Sequence, residues 1–399
     1  MDRRIIVLFC VLALILSGCV PNFGNDPDSN KIVKKSDKGK KQKKVKITPK
    51  VESIKNQYRT VVDFKPGAAR GHILYGVANR LDIDEIQTGL MRLSKDVYSP
   101  DRYIFQEGQY LERDMIENWL ENESQDNPEG LNPDLPKGYK KYSAEKKVQF
   151  LSEHPSYLSY VTEQDYLVQA GKDQLKLGGL SIAISMAKVY SFKVEDADGN
   201  LYRRQIKLDE KKAKEKAKQF ADVIVKRIRE IEALKNVPIV IGLYQEQAAE
   251  SLVPGHYFAK TVVKAEDSSV GEWEPLKETH VLFPSVEASE HYQADTDHFE
   301  QFRSQVQDYF PNYVDVIGKA FYKQKELQHM TIDIPIKFYA ETEVISFSQF
   351  IAGLLSDQNN PFPQDVPIDV YISSAQGPEA LVVLNPDRDE PFVHVYKNK

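Results

Sequence analysis

The sequence predicts an α+β fold in which two tandem related repeats of mixed strands and helices follow an N-terminal tether. Three observations predict this fold. Segments with alternating apolar residues and segments with helical periodicity follow one another between residues 180 and 374. The order of strand, helix and strand occurs twice. The last strand of each copy opens with Val-Pro-Ile, at 237–239 and at 366–368, and such self-similarity is typical of a duplicated unit.

Changes of composition along the chain set the limits of its segments. The 399 residues are enough for two ordinary domains, and 41% hydrophobic with 28% charged residues is typical of a soluble globular protein. The sequence therefore predicts a signal peptide at 1–18, a lysine-rich disordered tether at 19–56, a first α+β repeat at 57–265 and a second α+β repeat at 266–399.

The first segment has the pattern of a secretory signal. Arg3 and Arg4 precede an apolar run from Ile5 to Val20 that contains small residues near its end. The run is too short to indicate a membrane span. No later apolar run approaches the roughly 20 residues that a bilayer requires.

The end of this signal contains a candidate site of lipid attachment. Leu16, Ser17 and Gly18 precede Cys19, and this tetrapeptide resembles the lipobox of bacterial lipoproteins. In such signals the thiol receives diacylglycerol, and signal peptidase then makes the cysteine the first residue. Two acyl chains give stable anchoring, so we expect a protein held on the outer face of the cytoplasmic membrane. The alternatives are an uncleaved anchor and a cysteine without this role.

The second cysteine does not offer a disulfide partner. Cys10 lies inside the apolar run and leaves with the signal, so the mature chain keeps only Cys19. A disulfide within one mature molecule is therefore excluded.

The tether is strongly basic. Ten lysines lie between Lys31 and Lys50, so residues 19–50 carry a net charge of +7, whereas residues 51–399 carry −14. Such a segment buries little and repels itself, which predicts an extended, disordered chain. It would be attracted to an anionic membrane and to anionic envelope polymers. Binding of nucleic acid is not favoured, because no aromatic or folded reader accompanies the lysines.

The elements of the first repeat follow from periodicity. Residues 180–186 alternate as a strand, and residues 189–208 form a hairpin with Asp198-Gly199 at its turn. Residues 212–234 carry an apolar stripe at helical spacing. Residues 235–244 form the next strand, with the proline at a strand start or edge because it cannot donate within a central ladder.

The second repeat has the same order in a shorter form. Residues 330–339 alternate as a strand, 346–357 form a shorter helix, and 364–373 form the strand that contains the second Val-Pro-Ile. A further strand follows in each repeat, and His256 and His394 are expected at comparable places in the two.

Two early segments of the head are distinctive. Gly89–Ser94 is Gly-Leu-Met-Arg-Leu-Ser, and Phe105–Leu111 is Phe-Gln-Glu-Gly-Gln-Tyr-Leu, both within the stretch from Arg70 to Leu111. With the lipobox and the paired Val-Pro-Ile strands, they resemble the CamS family of sex-pheromone precursor lipoproteins of Gram-positive bacteria. This resemblance covers nearly the whole chain. It implies a membrane-anchored extracytoplasmic lipoprotein with a tandem-repeat α+β head.

The resemblance also implies that a hydrophobic heptapeptide from the signal tail is released as a mating pheromone. Cleavage before Cys19 and membrane proteolysis of the remnant would free an uncharged peptide. Recognition of such a peptide depends on side-chain fit, so a silent remnant is the alternative to an active signal. The matching peptide consists of Val11, Leu12, Ala13, Leu14, Ile15, Leu16 and Ser17.

No motif in the head indicates catalysis, a metal or a cofactor other than the lipid on the cysteine. Nucleophile-elbow, phosphate-loop and zinc-protease patterns do not occur. Asp196–Gly199 fits a hairpin turn better than a calcium loop, and Ser143–Lys146 fits a helix start. His280, His291 and His298 lack the spacing of a common metal-ligand pair.

These observations leave three hypotheses for the head. The first is a non-enzymatic binding module, the second a cell-envelope hydrolase or transferase with a site between the repeats, and the third a solute-binding lipoprotein. Two unequal α+β repeats do not resemble paired βαβ lobes, which disfavours the third. Tyrosine-rich stretches at 103–111 and 154–168 indicate either a binding surface for peptides or glycans or a filled core. We favour the first hypothesis and expect its ligand in the cleft between the repeats.

Overall fold

The computed structural model of the protein contains, among the residues it describes, two large sheets of nine and six strands with helices packed on them, and two further sheets of two strands each. It describes residues 31–34, 44–46, 57–60, 65–68, 70, 78–171, 174–309, 315–337, 340–356, 360–388 and 390–397. Among these, the strands are β1 Lys31–Lys34, β2 Lys44–Lys46, β3 Arg59–Thr60, β4 Asn79–Arg80, β5 Ile104–Glu107, β6 Leu158–Gly171, β7 Gln174–Met186, β8 Val189–Glu195, β9 Leu201–Lys207, β10 Ile239–Gln245, β11 Gln247–Ala248, β12 His256–Val263, β13 Glu274–Pro275, β14 Glu278–Phe283, β15 Ile317–Lys323, β16 Glu326–Pro335, β17 Ile368–Ser374, β18 Gly377–Leu384 and β19 Phe392–Val395. The α-helices are α1 Ile83–Ser94, α2 Arg113–Leu120, α3 Ala144–Glu153, α4 Glu210–Glu230, α5 Val286–His291, α6 Gln293–Tyr309 and α7 Glu341–Leu354. The predicted α+β class is confirmed.

The two sheets share one order of strands. The first sheet contains the path β5-β6-β7-β10-β12-β13, and the second is β14-β15-β16-β17-β18-β19. In both paths the third and fourth strands are parallel and every other neighbouring pair is antiparallel. Helices also occupy matching places, with two between the first and second strands and one between the third and fourth. This arrangement is compatible with duplication, and the superposition of the two repeats stays a prediction.

The Val-Pro-Ile segments occupy the same place in the two sheets. The Leu180 amide donates to the Pro238 carbonyl (3.0 Å), and the Met330 amide donates to the Pro367 carbonyl (3.1 Å). Each proline directly precedes a strand that runs parallel to its neighbour. A proline at this position leaves the ladder intact, because only its carbonyl is needed.

Local signals explain the elements of the first repeat. The Asp209 side chain accepts from the Lys212 amide (2.7 Å) and caps α4. Gly199 has φ 84° at the turn between β8 and β9, a conformation that glycine adopts without a Cβ penalty. The predicted hairpin and helix are therefore confirmed. Residues 179–186 of β7 are all buried, although the sequence alternates, because helices cover the two faces of this sheet.

The two faces of the first sheet carry different helices. A large apolar core under α2, α3 and α4 fills one face. On the other face α1 buries Ile86, Leu90 and Leu93 against Tyr244 and Tyr257. In the second sheet α5, α6 and α7 cover one face only, so the residues that point the other way stay partly exposed.

Three details differ from the sequence predictions. β19, which contains His394, lies one strand beyond the position that matches β12, so the expected equivalence of His256 and His394 is wrong. β18 takes that position, because a tight turn at Gly377 returns the chain directly beside β17. β13 lies beyond residue 265 yet pairs with β12, so the first sheet takes its last strand from the segment assigned to the second repeat. Within the predicted tether, β1 pairs with β2 and with the start of β7.

Candidate binding groove

A groove of about 640 Å³ lies at the first turns of α1. It is at the carboxyl ends of the parallel strands β7 and β10, because β11 directly follows β10 and pairs with β4, which leads into α1. Small-molecule sites prefer this end of parallel strands, and the volume is in the range of ordinary ligand pockets. The lining residues are Arg70, Arg80, Leu81, Asp82, Ile83, Asp84, Glu85, Thr88 and Pro254.

One wall of the groove is fixed by a charged pair. The Arg80 Nε donates to the two carboxylate oxygens of Asp82 at 2.7 and 2.8 Å, and its Nη1 donates to the Ser251 carbonyl at 3.0 Å. Burial raises the pKa of Asp82, and the hydrogen bond and charge of Arg80 oppose this rise. Asn79, just before Arg80, bonds the backbone of Lys188 and Val189 and so ties the wall to β8. The wall is therefore preorganised.

A fully buried carboxyl group follows β10. The Ser185 hydroxyl donates to Glu246 Oε1 at 2.7 Å. Burial raises the pKa of Glu246 to about 7, the bond from Ser185 lowers it in part, and the negative charge of Asp82 adds to the rise. The group therefore titrates near neutrality. At the start of β12, burial and then the positive charge of His280 lower the pKa of His256 to about 4, so this imidazole is neutral at pH 7.

An ionic array joins α1 to the second sheet. Arg92 contacts Glu85 (3.2 Å) and Glu278 (3.0 Å), and its guanidinium lies 4.4 Å from the centre of the Phe321 ring. The side chain of Glu278 is 1% exposed. His280 Nε2 lies 3.4 Å from Glu85 Oε1. Glu85 thus belongs both to the groove and to the junction of the two sheets.

Ionisation in this array is set by its partners. Burial would raise the pKa of Glu85, but the hydrogen bond and charge of His280 together with Arg92 outweigh burial and lower it. Burial would likewise lower the pKa of Arg92, but the carboxylates of Glu278 and Glu85 outweigh burial and raise this pKa. The carboxylate of Glu85 and the guanidinium are therefore charged at neutral pH, and the array connects α1 with β14 of the second sheet.

In the first distinctive segment, Gly89–Ser94, the buried residues Gly89, Leu90, Leu93 and Ser94 pack on the first sheet, whereas Arg92 faces the second sheet. A Cβ at Gly89 would lie 2.6 Å from the Tyr257 ring, so only glycine allows this contact. The hydroxyls of Ser94 and Ser181 are 2.7 Å apart and are buried. The segment is recognisable in the sequence as a motif, whereas its role in packing is visible only in the tertiary structure.

The second distinctive segment, Phe105–Leu111, contains a loop held by two buried carboxyl groups of β6. The amides of Tyr110 and Leu111 donate to Glu163, at 3.2 and 2.9 Å, and the amide of Gln109 donates to Asp165 Oδ2 at 3.1 Å.

Glu163 and Asp165 are a carboxyl pair that sequence reasoning missed. They are 3% and 0% exposed, and burial raises the pKa of Glu163 against the hydrogen bond from Asp165 and the loop amides. Most glycoside hydrolases use a pair of carboxyl groups that flank the scissile bond of the substrate. This pair instead lies inside the first unit and fixes a backbone loop, so it does not supply a site between the repeats.

The predicted candidates within the described residues are dispersed. His280 joins the junction, His291 ends α5 and His298 lies in α6. In the described parts of the chain no group of three or more His, Cys, Asp or Glu residues could hold a metal ion. Ser143 caps α3 and Asp196 closes its turn through Asn200, as predicted.

Most tyrosines of the two aromatic-rich stretches fill the core. Tyr157, Tyr160 and Tyr166 are buried, whereas Tyr103 and Tyr110 are partly exposed. The core interpretation therefore holds for the longer stretch. Its tyrosines do not form a ligand surface.

The N-terminal predictions lie outside the described residues. These are the lipobox at 16–18, the lipidation site Cys19 and the pheromone-like peptide at 11–17. Across the described segments, no helix has the length and apolar character of a membrane span.

Comparison with known proteins gives one consistent class. The family model described as CamS, the sex pheromone cAM373 precursor, matches residues 64–390. A sex pheromone precursor from Lactobacillus salivarius subsp. salivarius UCC118 is similar with 29% identity and a TM-score of 0.74, over 89% of this chain and 100% of that one. The C-terminal domain of the sex pheromone staph-cAM373 precursor from Staphylococcus aureus is similar with 28% identity and a TM-score of 0.65, over 79% of this chain and 96% of that one. None of the curated proteins is similar enough in sequence to count as a relative.

The fold and these similarities define the class of sex pheromone precursors, which is not a known class of enzymes. The chain belongs to the CamS family. The resemblance inferred from the two distinctive segments is thereby confirmed.

Proposed function

We propose that this protein is a lipoprotein anchored on the outer face of the cytoplasmic membrane. In this proposal its signal tail is the source of a secreted peptide pheromone, and its head is a non-enzymatic binding module. Membership of the CamS family carries the proposal. The tetrapeptide that ends in Cys19 supports the anchor, and the apolar heptapeptide at 11–17 supports the pheromone.

The groove beside α1 supports the binding role of the head. Its Arg80–Asp82 pair is preorganised, and the adjacent acids favour a polar ligand with hydrogen-bond donors. Basic residues between Lys31 and Lys50 would hold the tether against anionic envelope polymers.

Cys19→Ala tests the anchor. We expect an unlipidated precursor that retains residues 1–18, because the thiol that accepts diacylglycerol is lost. Cys10→Ala is the matched control, since it changes the other cysteine of the same signal and should leave processing intact. Intact mass of the membrane fraction is the measurement, and normal processing of Cys19→Ala would contradict the lipoprotein proposal.

Mass spectrometry of the culture medium tests the pheromone. Release of the peptide Val-Leu-Ala-Leu-Ile-Leu-Ser by cells that make the wild-type protein supports the precursor role. Its absence, with a diacylated Cys19 on the cells, would remove the pheromone part and leave an anchored binding protein.

A further inference from the structure

The second sheet has an open face that carries two exposed aromatic rings. Residues that alternate with the buried ones on β15–β19 point away from α5, α6 and α7. On this face Tyr371 is 43% exposed and Phe392 is 47% exposed. Arg92 reaches the face at Phe321; among the described residues no helix lies over the part from β16 to β19.

Polar groups lie beside Tyr371, whereas Leu381 and Val383 of β18 lie between the two rings, and the Arg388 guanidinium is 6.0 Å from the centre of the Phe392 ring. Lys319 pairs with Asp333 at 2.8 Å, and His329 pairs with Asp369 at 3.0 Å. The register places Asp333 directly opposite Tyr371. The face therefore offers exposed rings beside groups that donate and accept hydrogen bonds.

On the equivalent face of the first sheet, α1 packs on small residues. The shared Val-Pro-Ile register makes Ala183 equivalent to Asp333, and Gly242 equivalent to Tyr371. Ala183 and Gly242 lie under α1, where small residues let the helix approach. A carboxylate and a tyrosine at these places would hold such a helix away. The open face is therefore unsuited to an amphipathic helix packed as α1 is.

We propose that this open face binds the neutral N-acetylated glycan backbone of the cell wall. Sugar rings present C–H faces that stack on aromatic rings, and hydroxyl and amide groups that bond to side chains such as those of the two ion pairs. Tyr371 and Phe392 lie on strands separated by β18 and are offset by two residues along the strands, so their Cα atoms stand about 12 Å apart, within reach of a short oligosaccharide.

Charge selects a neutral polymer over an anionic one. Residues 51–399 carry a net charge of −14, which disfavours the approach of anionic chains to the head as a whole. The inference rests on the proposed binding role of the head, names its ligand class and assigns it to a surface other than the groove.

Calorimetric titration with chitohexaose, a neutral N-acetylated oligosaccharide, tests the proposal. We expect saturable binding to the purified protein that weakens about tenfold, or about 1.4 kcal/mol, in Tyr371→Ala and again in Phe392→Ala. Each residue is about half exposed, so the variants should remain folded, and their unfolding midpoints are measured alongside the titration. Tyr309→Ala is the matched control, because Tyr309 is a 39% exposed aromatic residue of α6, and its affinity should equal that of the wild type.

Several results would overturn the proposal. These are no binding of chitohexaose, equal affinity in the ring variants, equal binding of the anionic polymer polyglutamate, and binding of an amphipathic helical peptide that Tyr371→Ala abolishes. Thr88→Arg fills the groove and separates this proposal from the binding role of the head. Loss of chitohexaose binding in that variant alone would place the ligand in the groove, which keeps the binding module and refutes the open face.

Discussion

Glu246→Gln should make the protein more stable above neutral pH. The carboxyl group is fully buried, and its bond from Ser185 does not offset desolvation, so its pKa rises from 4.5 to about 7. A folded-state pKa above the unfolded value gives stability that is complete below pH 4.5 and is lost as the pH rises through about 7. Glutamine keeps the acceptor for Ser185 and removes the charge.

The size of the effect follows from the two pKa values. A tenfold change in proton affinity corresponds to about 1.4 kcal/mol, so ionisation of this carboxyl costs the folded protein about 3 kcal/mol between pH 4 and pH 8. The free energy of unfolding of Glu246→Gln, relative to the wild type, should therefore rise by about 3 kcal/mol over this range.

Urea unfolding followed by tryptophan fluorescence measures this difference, because Trp119 is buried in the core of the first sheet. Glu215→Gln is the matched control: Glu215 is exposed on α4, and its replacement should change the free energy of unfolding by less than about 0.5 kcal/mol. A pH-independent difference for Glu246→Gln would refute the reasoning, since it would mean that the buried carboxyl does not titrate near neutrality.

Two further changes test the packing of the first sheet. Gly108→Ala places a methyl group 2.4 Å from the side chain of Glu163 and should lower the free energy of unfolding by about 1–3 kcal/mol. Gly353→Ala is the control and should not lower it, because a Cβ there meets nothing within 4 Å. Equal urea midpoints for the two variants would contradict this prediction. His256→Gln should flatten the loss of stability between pH 6.5 and about 4, because burial lowers the folded-state pKa of His256 to about 4; an unchanged pH profile in urea unfolding would contradict that.

Local patterns predicted the elements well where sequence and packing agree. The stripe of α4, the turn at Gly199 and the strand starts after the two prolines depend on neighbours in the chain. Periodicity and turn chemistry are local properties, so they are visible without tertiary contacts.

Contacts between residues that are distant in the chain could not be predicted from these local patterns. Arg92 meets Glu278 across 186 positions of the chain, and the loop at Gly108 meets Glu163 across 55. The residues of each pair are too far apart in the chain for periodicity or a motif to predict their contact. The equivalence of His394 with His256 failed for a related reason, because a short strand sequence does not state which neighbour it pairs with.

The sequence by itself determined the class of fold, the strand, helix and strand order within 180–244 and within 330–373, and the resemblance to CamS, since these depend on periodicity and on contiguous segments. The tertiary structure decided that the first sheet is covered on two faces and the second on one. It also decided that Glu246 is enclosed and that Tyr371 is exposed. Burial and charge pairing are sums over residues that are distant in the chain, and only the folded backbone brings those residues together.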